Sequence, residues 1–563
     1  SMKSIDLKGR WRYREDPEDR GLREKWYKEK LPGEGFELPG SACGNKIGKK
    51  RVYDPKMDEV YRAPRERYEY IAPLWLEREI EIPPEAAGKR ARLFLERVNI
   101  ASEVWLDGEK TGRKIIDLSA PHVHVFKDGL SPGTHRLCLR IDNRNLLHFN
   151  DMASGYSIDT QGIWNGIIGR IELQFEEQTA VERIDVYPDE KGIDLRLILL
   201  SDVYEPNYAS APPKAATLRF ELRDPEGKIV LREEAGTALY CSRQVEYRRL
   251  DLKPEDIVFW DEFTPALYTL QVSLDCTGIR TSRSRRFGMR TIRRDGRHFL
   301  LNGRRIALRG TTECAQYPLT GYPPMDKASY LERFSKVKAS GLNHIRFHAW
   351  CPPESAFAAA DELGLYLLAE MPMWLNRDIG THEVGDDPYH RLYYTQAARR
   401  ISEYYGNHPS FLFFSNGNEN MGAFELLDDL ITQTKAYDPR RFYTLTSNFD
   451  HPVLPSEDYF SAFDAKGQRI RVQGHLYDES CKHSCNHYNE AVASMPLPLI
   501  SFETGQYAVY PDLDIIEDYS GNMLPVNFMA IRDSMQKAGI YEKRRAYTEA
   551  SGKFAELLYK EDI

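Results

Sequence analysis

From about Phe287 onward, short and almost wholly apolar runs alternate with segments of helical periodicity, and this alternation limits the fold more than any other feature of the chain. Apolar runs bounded by turn residues suit strands buried on both faces, and strand and helix in repetition build a parallel sheet or barrel. Seven runs qualify: RIALRGTTE, HIRFHAW, LYLLAEMPMW, FLFFSNGNEN, FYTLTSNF, RVQGHLY and LPLISFETGQY. Between the first two, Asp326 to Ser340 carries Tyr330, Phe334 and Val337 at helical spacing and is followed by Gly341. Between the second and third, PPESAFAAADELG opens with prolines and ends in Gly364. The expectation is a C-terminal (β/α)8 TIM barrel over residues 288–563. A closed barrel takes eight strands. No eighth run follows LPLISFETGQY, so the barrel is expected to lack its eighth strand, through C-terminal truncation or closure by another segment.

Upstream the pattern is strands alone. LWLEREIEIP, RARLFLERV, EVWLDGEK, HRLCLRIDN and GRIELQF follow one another at short intervals, with Pro83-Pro84, Asp107-Gly108 and Pro132-Gly133 marking turns. Regular short strands of this kind read as a β-sandwich or jelly roll. The preceding stretch, with WYKEKLPGEGFELPGSACG, reads as irregular chain wrapped around it. A second β set contains GIDLRLILLSD, AATLRFELRDPEGKIVLREE and ALYTLQVSLD, and Asp224-Pro225-Glu226-Gly227 is a hairpin turn.

At 563 residues the chain exceeds what one hydrophobic core can organise. Hydrophobic residues at 41% and charged residues at 29% describe a globular protein rather than a disordered one. The net charge of −8 argues against a nucleic-acid partner. No window approaches the roughly 20 apolar residues of a membrane span, and SMKSIDLKGRW lacks a signal-peptide core. The expectation is a soluble protein of the bacterial periplasm or cytoplasm. Eight scattered cysteines leave the redox compartment open.

The chemistry sits at strand ends. FLFFSNGNEN closes an apolar strand with Glu419, and LPLISFETGQ closes another with Glu503. Barrel enzymes keep their active sites at the C-terminal ends of the strands. Two carboxylates so placed suit glycosidic bond cleavage, one protonating the leaving oxygen and the other attacking the anomeric carbon, roughly 5 to 5.5 Å apart when configuration is retained. Asn416 and Asn418 could hydrogen-bond sugar hydroxyls. Arg346 and His348 alternate along one strand and so share a face; an arginine there keeps a neighbouring carboxylate ionised, as a nucleophile requires. His475 is a hydrogen-bonding candidate and Trp374 an aromatic platform or simple packing.

These motifs resemble glycoside hydrolase family 2, the group of β-galactosidases, β-glucuronidases and β-mannosidases. LWLEREIEIP, LERV, VWLDG and DTQGIWNGIIGRIEL resemble its N-terminal sugar-binding domain, and FLLNGRRIALRGTTE the start of its barrel. The resemblance implies a sugar-binding jelly-roll domain over residues 1–178, an immunoglobulin-like β-sandwich over 179–287, and the barrel thereafter. It implies that Glu419, in GNEN, is the acid/base and that Asn418 contacts the sugar 2-hydroxyl. It makes Glu503, in SFETGQY, the nucleophile, with Arg346, His348 and His475 lining the same pocket. FETGQY departs from the more usual EYG-type motif. The implied activity is a retaining exo-β-glycosidase, β-galactosidase-like, with β-glucuronidase as the alternative. It acts on a glycoside or oligosaccharide without cofactor or metal. Homo-oligomerisation or further C-terminal domains are the remaining partner expectations.

Two readings of other classes stand beside it. One is a carbohydrate-binding protein without turnover. The other is a metal-dependent barrel hydrolase using His344, His348 and His475. Cys481, His483, Cys485 and His487 superficially offer zinc ligands, but the spacing in CKHSCNH is tighter than structural zinc patterns and reads as a loop over the site. Cys351 reads as a packed thiol.

Overall fold

The computed structural model describes residues 2–56, 63–146, 162–203, 212–374, 388–422, 424–465, 468–470 and 488–563. The N-terminal part is a sandwich of two antiparallel sheets. One sheet orders the strands Lys3–Asp6, Gly166–Glu176, Arg90–Asn99 and His122–Phe126, with Gly40–Ser41 paired beside Gly166–Glu176. The other runs Glu109–Ile116, Ala101–Leu106, Gly133–Asp142, Pro73–Ile82, Gly9–Glu15 and Gly33–Leu38. Alternating residues from both sheets, among them Leu93, Leu95, Leu74, Leu76, Leu137 and Leu139, meet in one buried core. The Asp107-Gly108 turn joins two of these strands, both residues taking positive φ (51° and 81°).

The stretch expected to be irregular supplies strands instead. Gly33–Leu38 forms the edge of the six-stranded sheet, with Phe36 and Leu38 buried. Its two-residue alternation is short and lies among glycines and prolines, which hid it from a reading by composition.

A second sandwich follows, of three strands (Ala180–Pro188, Gly192–Leu200, Arg243–Asp251) and four (Ile229–Leu239, Lys214–Arg223, Tyr268–Cys276, Ile279–Phe287). Its core is as aliphatic as the first.

The parallel sheet predicted for the C-terminal half is present. Strands β1 (Gly310–Glu313), β2 (His344–Phe347), β3 (Tyr366–Glu370), β4 (Phe411–Ser415) and β5 (Phe442–Thr444) pair in sequence order, all parallel. Helix α1 (Lys327–Ala339) connects β1 to β2, its N-cap Asp326 accepting from Ser329 N. Helix α2 (Glu354–Leu363) connects β2 to β3 and ends at Gly364 in the left-handed conformation (φ 78°), where a Cβ would sit 2.7 Å from Glu262 O. Helices α3 (Pro388–Tyr405) and α4 (Phe424–Tyr437) follow β3 and β4.

RVQGHLY, expected as the sixth strand, lies outside the described residues, and so does His475. Within them, β6 (Phe460–Ser461) pairs in parallel with β7 (Leu499–Ile500), and Asp458 N donates to Tyr443 O beside β5. Among the described residues no eighth parallel strand follows Ile500. Instead Met523–Leu524 pairs with Arg65–Glu66 of the N-terminal part, and two helices, Val526–Lys537 and Arg544–Asp562, complete the chain. No helix among the described residues is long and apolar enough to cross a membrane.

The first sandwich buttresses the end of β2. Arg97, buried, donates from Nη1 to Cys351 O (2.7 Å), so the turn after His348 rests on the N-terminal domain.

Candidate active site

Strand β2 places Arg346 among the strand ends, where its planar fork of donors serves three side chains at once. Nε donates to Glu370 Oε2 (2.9 Å), Nη1 to Glu503 Oε1 (2.8 Å), and Nη2 to both Glu370 Oε1 (3.3 Å) and Asn418 Oδ1 (2.6 Å). The guanidinium carbon lies 4.8 Å from the centre of the Phe502 ring. Strands β2, β3, β4 and β7 are thereby tied together through one buried cation.

Glu503 turns off β7 with a positive φ of 56°. Besides Arg346 it meets His348 Nε2 at 3.4 Å, and Gln506 Nε2 donates to its Oε2 (3.1 Å). Burial alone would push this carboxyl up, but hydrogen bonding from His348 and the charge of Arg346 outweigh it and hold Glu503 far below the usual carboxylate range. The His348 ring packs edge-on against Trp374, with centroids 5.3 Å apart.

Glu419 reaches the site through a backbone that only glycine permits. Gly417 has φ 134°, and a Cβ there would lie 2.0 Å from Met373 O. That close approach lets Asn418 N donate to Met373 O (3.0 Å), after which Glu419, at φ 46°, donates its N–H to Ser447 O (2.8 Å). Glu419 is partly exposed, whereas Asn418 is fully buried. Because Arg346 occupies Asn418 Oδ1, the amide turns its Nδ2 the other way, and that donor has no hydrogen-bond partner among the described residues.

The structure therefore assembles Arg346, His348, Trp374, Asn418 and Glu503, with Glu419 the residue after Asn418. Asn416 does not join them, because its Nδ2 donates to Leu427 O (3.1 Å) beneath α4. His344 lies about four strand residues, or ~13 Å, from His348. Its Nδ1 is 2.8 Å from Tyr366 O, and burial holds it down to about 4. It cannot share a metal with His348. Among the described residues no three His, Cys, Asp or Glu side chains are grouped to hold a metal. CKHSCNH lies outside them. Cys351 is a packed thiol, pushed up to about 12 by burial.

Sequence reasoning missed Glu370, Ser447 and Gln506. Glu370 is wholly buried and each of its oxygens accepts twice: Oε1 from Ala349 N (2.6 Å) and Arg346, Oε2 from Arg346 and the Ser447 hydroxyl. Its signal was available, since LYLLAE ends in a carboxylate just as the strands of Glu419 and Glu503 do.

Two family models match the chain. "Glycosyl hydrolases family 2" covers residues 179–290 and "Glycosyl hydrolases family 2, TIM barrel domain" covers residues 292–498. The chain belongs to glycosyl hydrolase family 2. Among relatives, a β-galactosidase of Thermoanaerobacterium thermosulfurigenes is 24% identical over 331 residues, 57% of this chain and 43% of that protein. A β-glucuronidase of Paenibacillus borealis is 23% identical over 386 residues, 65% of this chain and 58% of that protein. The chain thus spans about half the length of these relatives. The crystal structure of a Bacteroides uniformis β-glucuronidase superposes with a TM-score of 0.63 at 14% identity, covering 95% of this chain and 58% of that one. Family 2 membership agrees with the parallel sheet preceded by two all-β units.

Proposed function

We propose that the chain is a retaining, exo-acting β-glycoside hydrolase working by double displacement with Glu503 as nucleophile and Glu419 as acid/base. The observation that carries this reading is the pairing of Glu503 with Arg346 and His348, on the same guanidinium that holds Asn418, the residue before Glu419. A nucleophilic carboxylate must stay deprotonated, and two cation-bearing or donating partners achieve this in a buried site.

In the first step Glu503 forms a bond to the anomeric carbon while the bond to the leaving oxygen breaks, and Glu419 gives its proton to that oxygen. In the second, water attacks the same carbon, Glu419 takes the water's proton, and Glu503 leaves as a carboxylate. Asn418 Nδ2 is positioned by Arg346 to donate to a ring hydroxyl, a bond that can strengthen as charge develops. Neither step calls on a metal.

β-Galactosides are the first substrates to test and β-glucuronides the second, both activities being represented among the named relatives. The deciding experiment is trapping with 2-deoxy-2-fluoro glycosides bearing a good leaving group, followed by peptide mass spectrometry. A glycosyl adduct on Glu503 supports the reading. Hydrolysis with inversion, or a label on another carboxylate, would refute it. Sugar binding with no turnover of any glycoside would make this a carbohydrate-binding protein.

A further inference from the structure

The barrel strands share a backbone device at their C-terminal ends. Ala315 after β1 (φ 57°), Ala349 after β2 (52°), Glu419 after β4 (46°), Asn448 after β5 (64°) and Glu503 (56°) all take the left-handed conformation, which is uncommon away from glycine. Two are alanines and two are the carboxylates assigned above. Asn448 is the remaining one, a polar residue with no role so far.

Asn448 belongs to the same ring of residues. Asn418 forms a parallel bridge with Ser447, so Asn448 stands one residue further on, beside Glu419. Its backbone N–H donates to Ser461 Oγ (3.0 Å), which locks the turn against β6. Its side chain is fully buried, and neither Nδ2 nor Oδ1 has a hydrogen-bond partner among the described residues. Burying a donor or acceptor without a partner forfeits its hydrogen bonds to water, so a primary amide with both unmet is a costly feature of an interior. The neighbouring amide, Asn418, also carries an unmet donor. Two adjacent strand ends thus present amide donors without a partner among the described residues, Asn418 Nδ2 after β4 and Asn448 Nδ2 after β5.

We propose that Asn448 is a sugar-contacting residue that recognises a neutral hydroxyl of the substrate beside Glu419. An amide that needs both an acceptor and a donor is met by a hydroxyl, which supplies each. A carboxylate would satisfy Nδ2 but face Oδ1 with like charge. Asn448 therefore reads a ring or aglycone hydroxyl and not a uronate group. The inference rests on the glycosidase reading above.

The test compares the parent chain with Asn448→Ala and the near-isosteric Asn448→Asp. Steady-state kinetics would use a nitrophenyl glycoside that the parent cleaves and its monodeoxy analogues, and calorimetry would measure isofagomine binding. The expected result is a fall of about ten-fold or more in kcat/KM for Asn448→Ala, one hydrogen bond's worth. One deoxy analogue should lose its penalty in that variant, because its missing hydroxyl no longer has a partner to forsake. Asn448→Asp keeps the acceptor but adds charge beside Glu419, and should be at least as impaired. The proposal is overturned if kcat/KM and isofagomine affinity match the parent while only the melting temperature moves, or if every deoxy penalty is the same in variant and parent. A parent that neither cleaves nor binds any of these probes would instead sink the glycosidase reading, and this inference with it.

Discussion

Replacing Arg346 by lysine isolates what the guanidinium does. The parent side chain makes four charge-assisted hydrogen bonds to three partners spread over β3, β4 and β7. A lysine ammonium keeps the charge but concentrates its donors at one atom, which cannot span Glu370, Glu503 and Asn418 together. Loss of at least two such bonds, at about 1.5 kcal/mol each, comes to about 3 kcal/mol, or roughly a 100-fold fall in kcat/KM. A second signature separates this from general damage. In the parent, burial raises the Glu503 carboxyl but His348 and Arg346 together hold it far below the usual carboxylate range. With the guanidinium gone from its Oε1, the burial contribution prevails and the folded-state pKa climbs. The acid limb of kcat/KM against pH should then move toward or above the ordinary glutamate value of about 4.3. The stability linkage has the matching sign. A depressed folded pKa contributes stability above the unfolded value of about 4.3, and that stability is lost as pH falls toward the folded value. Arg346→Lys should therefore flatten the dependence of melting temperature on pH between about 4.3 and more acidic buffers. The measurements are a pH-rate profile on a nitrophenyl glycoside and melting by circular dichroism. An acid limb that stays in place with kcat/KM within about three-fold of the parent would refute the assigned role of Arg346.

Further predictions concern the same site. Glu503→Gln should abolish hydrolysis of aryl glycosides, whereas Glu419→Gln should spare substrates with activated leaving groups far more than alkyl glycosides; equal loss on both would count against the acid/base role. Gly417→Ala drives a Cβ to 2.0 Å from Met373 O in a left-handed conformation, so the melting temperature should fall sharply or Asn418 should be displaced, with kcat/KM reduced; an unchanged variant would show that the close approach is dispensable. Exhaustive treatment with a chelator should leave turnover of any cleaved glycoside unchanged, and a loss restored by a divalent cation would reopen metal-assisted chemistry.

Much of the site could be seen in the sequence because one pattern, an apolar strand ending in a polar residue, survives without coordinates. It picks out Glu419 and Glu503 as candidates, with Asn418 beside the first. The same pattern marks Glu313 and Glu370, and the pattern by itself does not sort the four; only the family resemblance of GNEN and SFETGQY favoured two of them. In the structure Glu313 is occupied by Ala315 N and the Tyr317 hydroxyl (2.6 Å each), and Glu370 by Arg346, Ala349 and Ser447. Those two carboxylates are spent on the protein itself. Gly33–Leu38 was missed for the opposite reason, its strand signal being too short to stand out among turn-forming neighbours. Met523–Leu524 pairs with Arg65–Glu66 across most of the chain length, a contact that no local pattern encodes.

Periodicity and the order of elements determine the class of fold here, because burying an apolar run on both faces leaves a parallel sheet as the ready solution. They also determine which residues stand at strand ends. What the tertiary structure decided is how those ends share one cation. Arg346 meets Glu370 across 24 residues of sequence, Asn418 across 72 and Glu503 across 157. The ionisation of Glu503 and the orientation of the Asn418 amide follow from that sharing. Such properties depend on distances of about 3 Å between segments far apart in the chain, and only folding sets those distances.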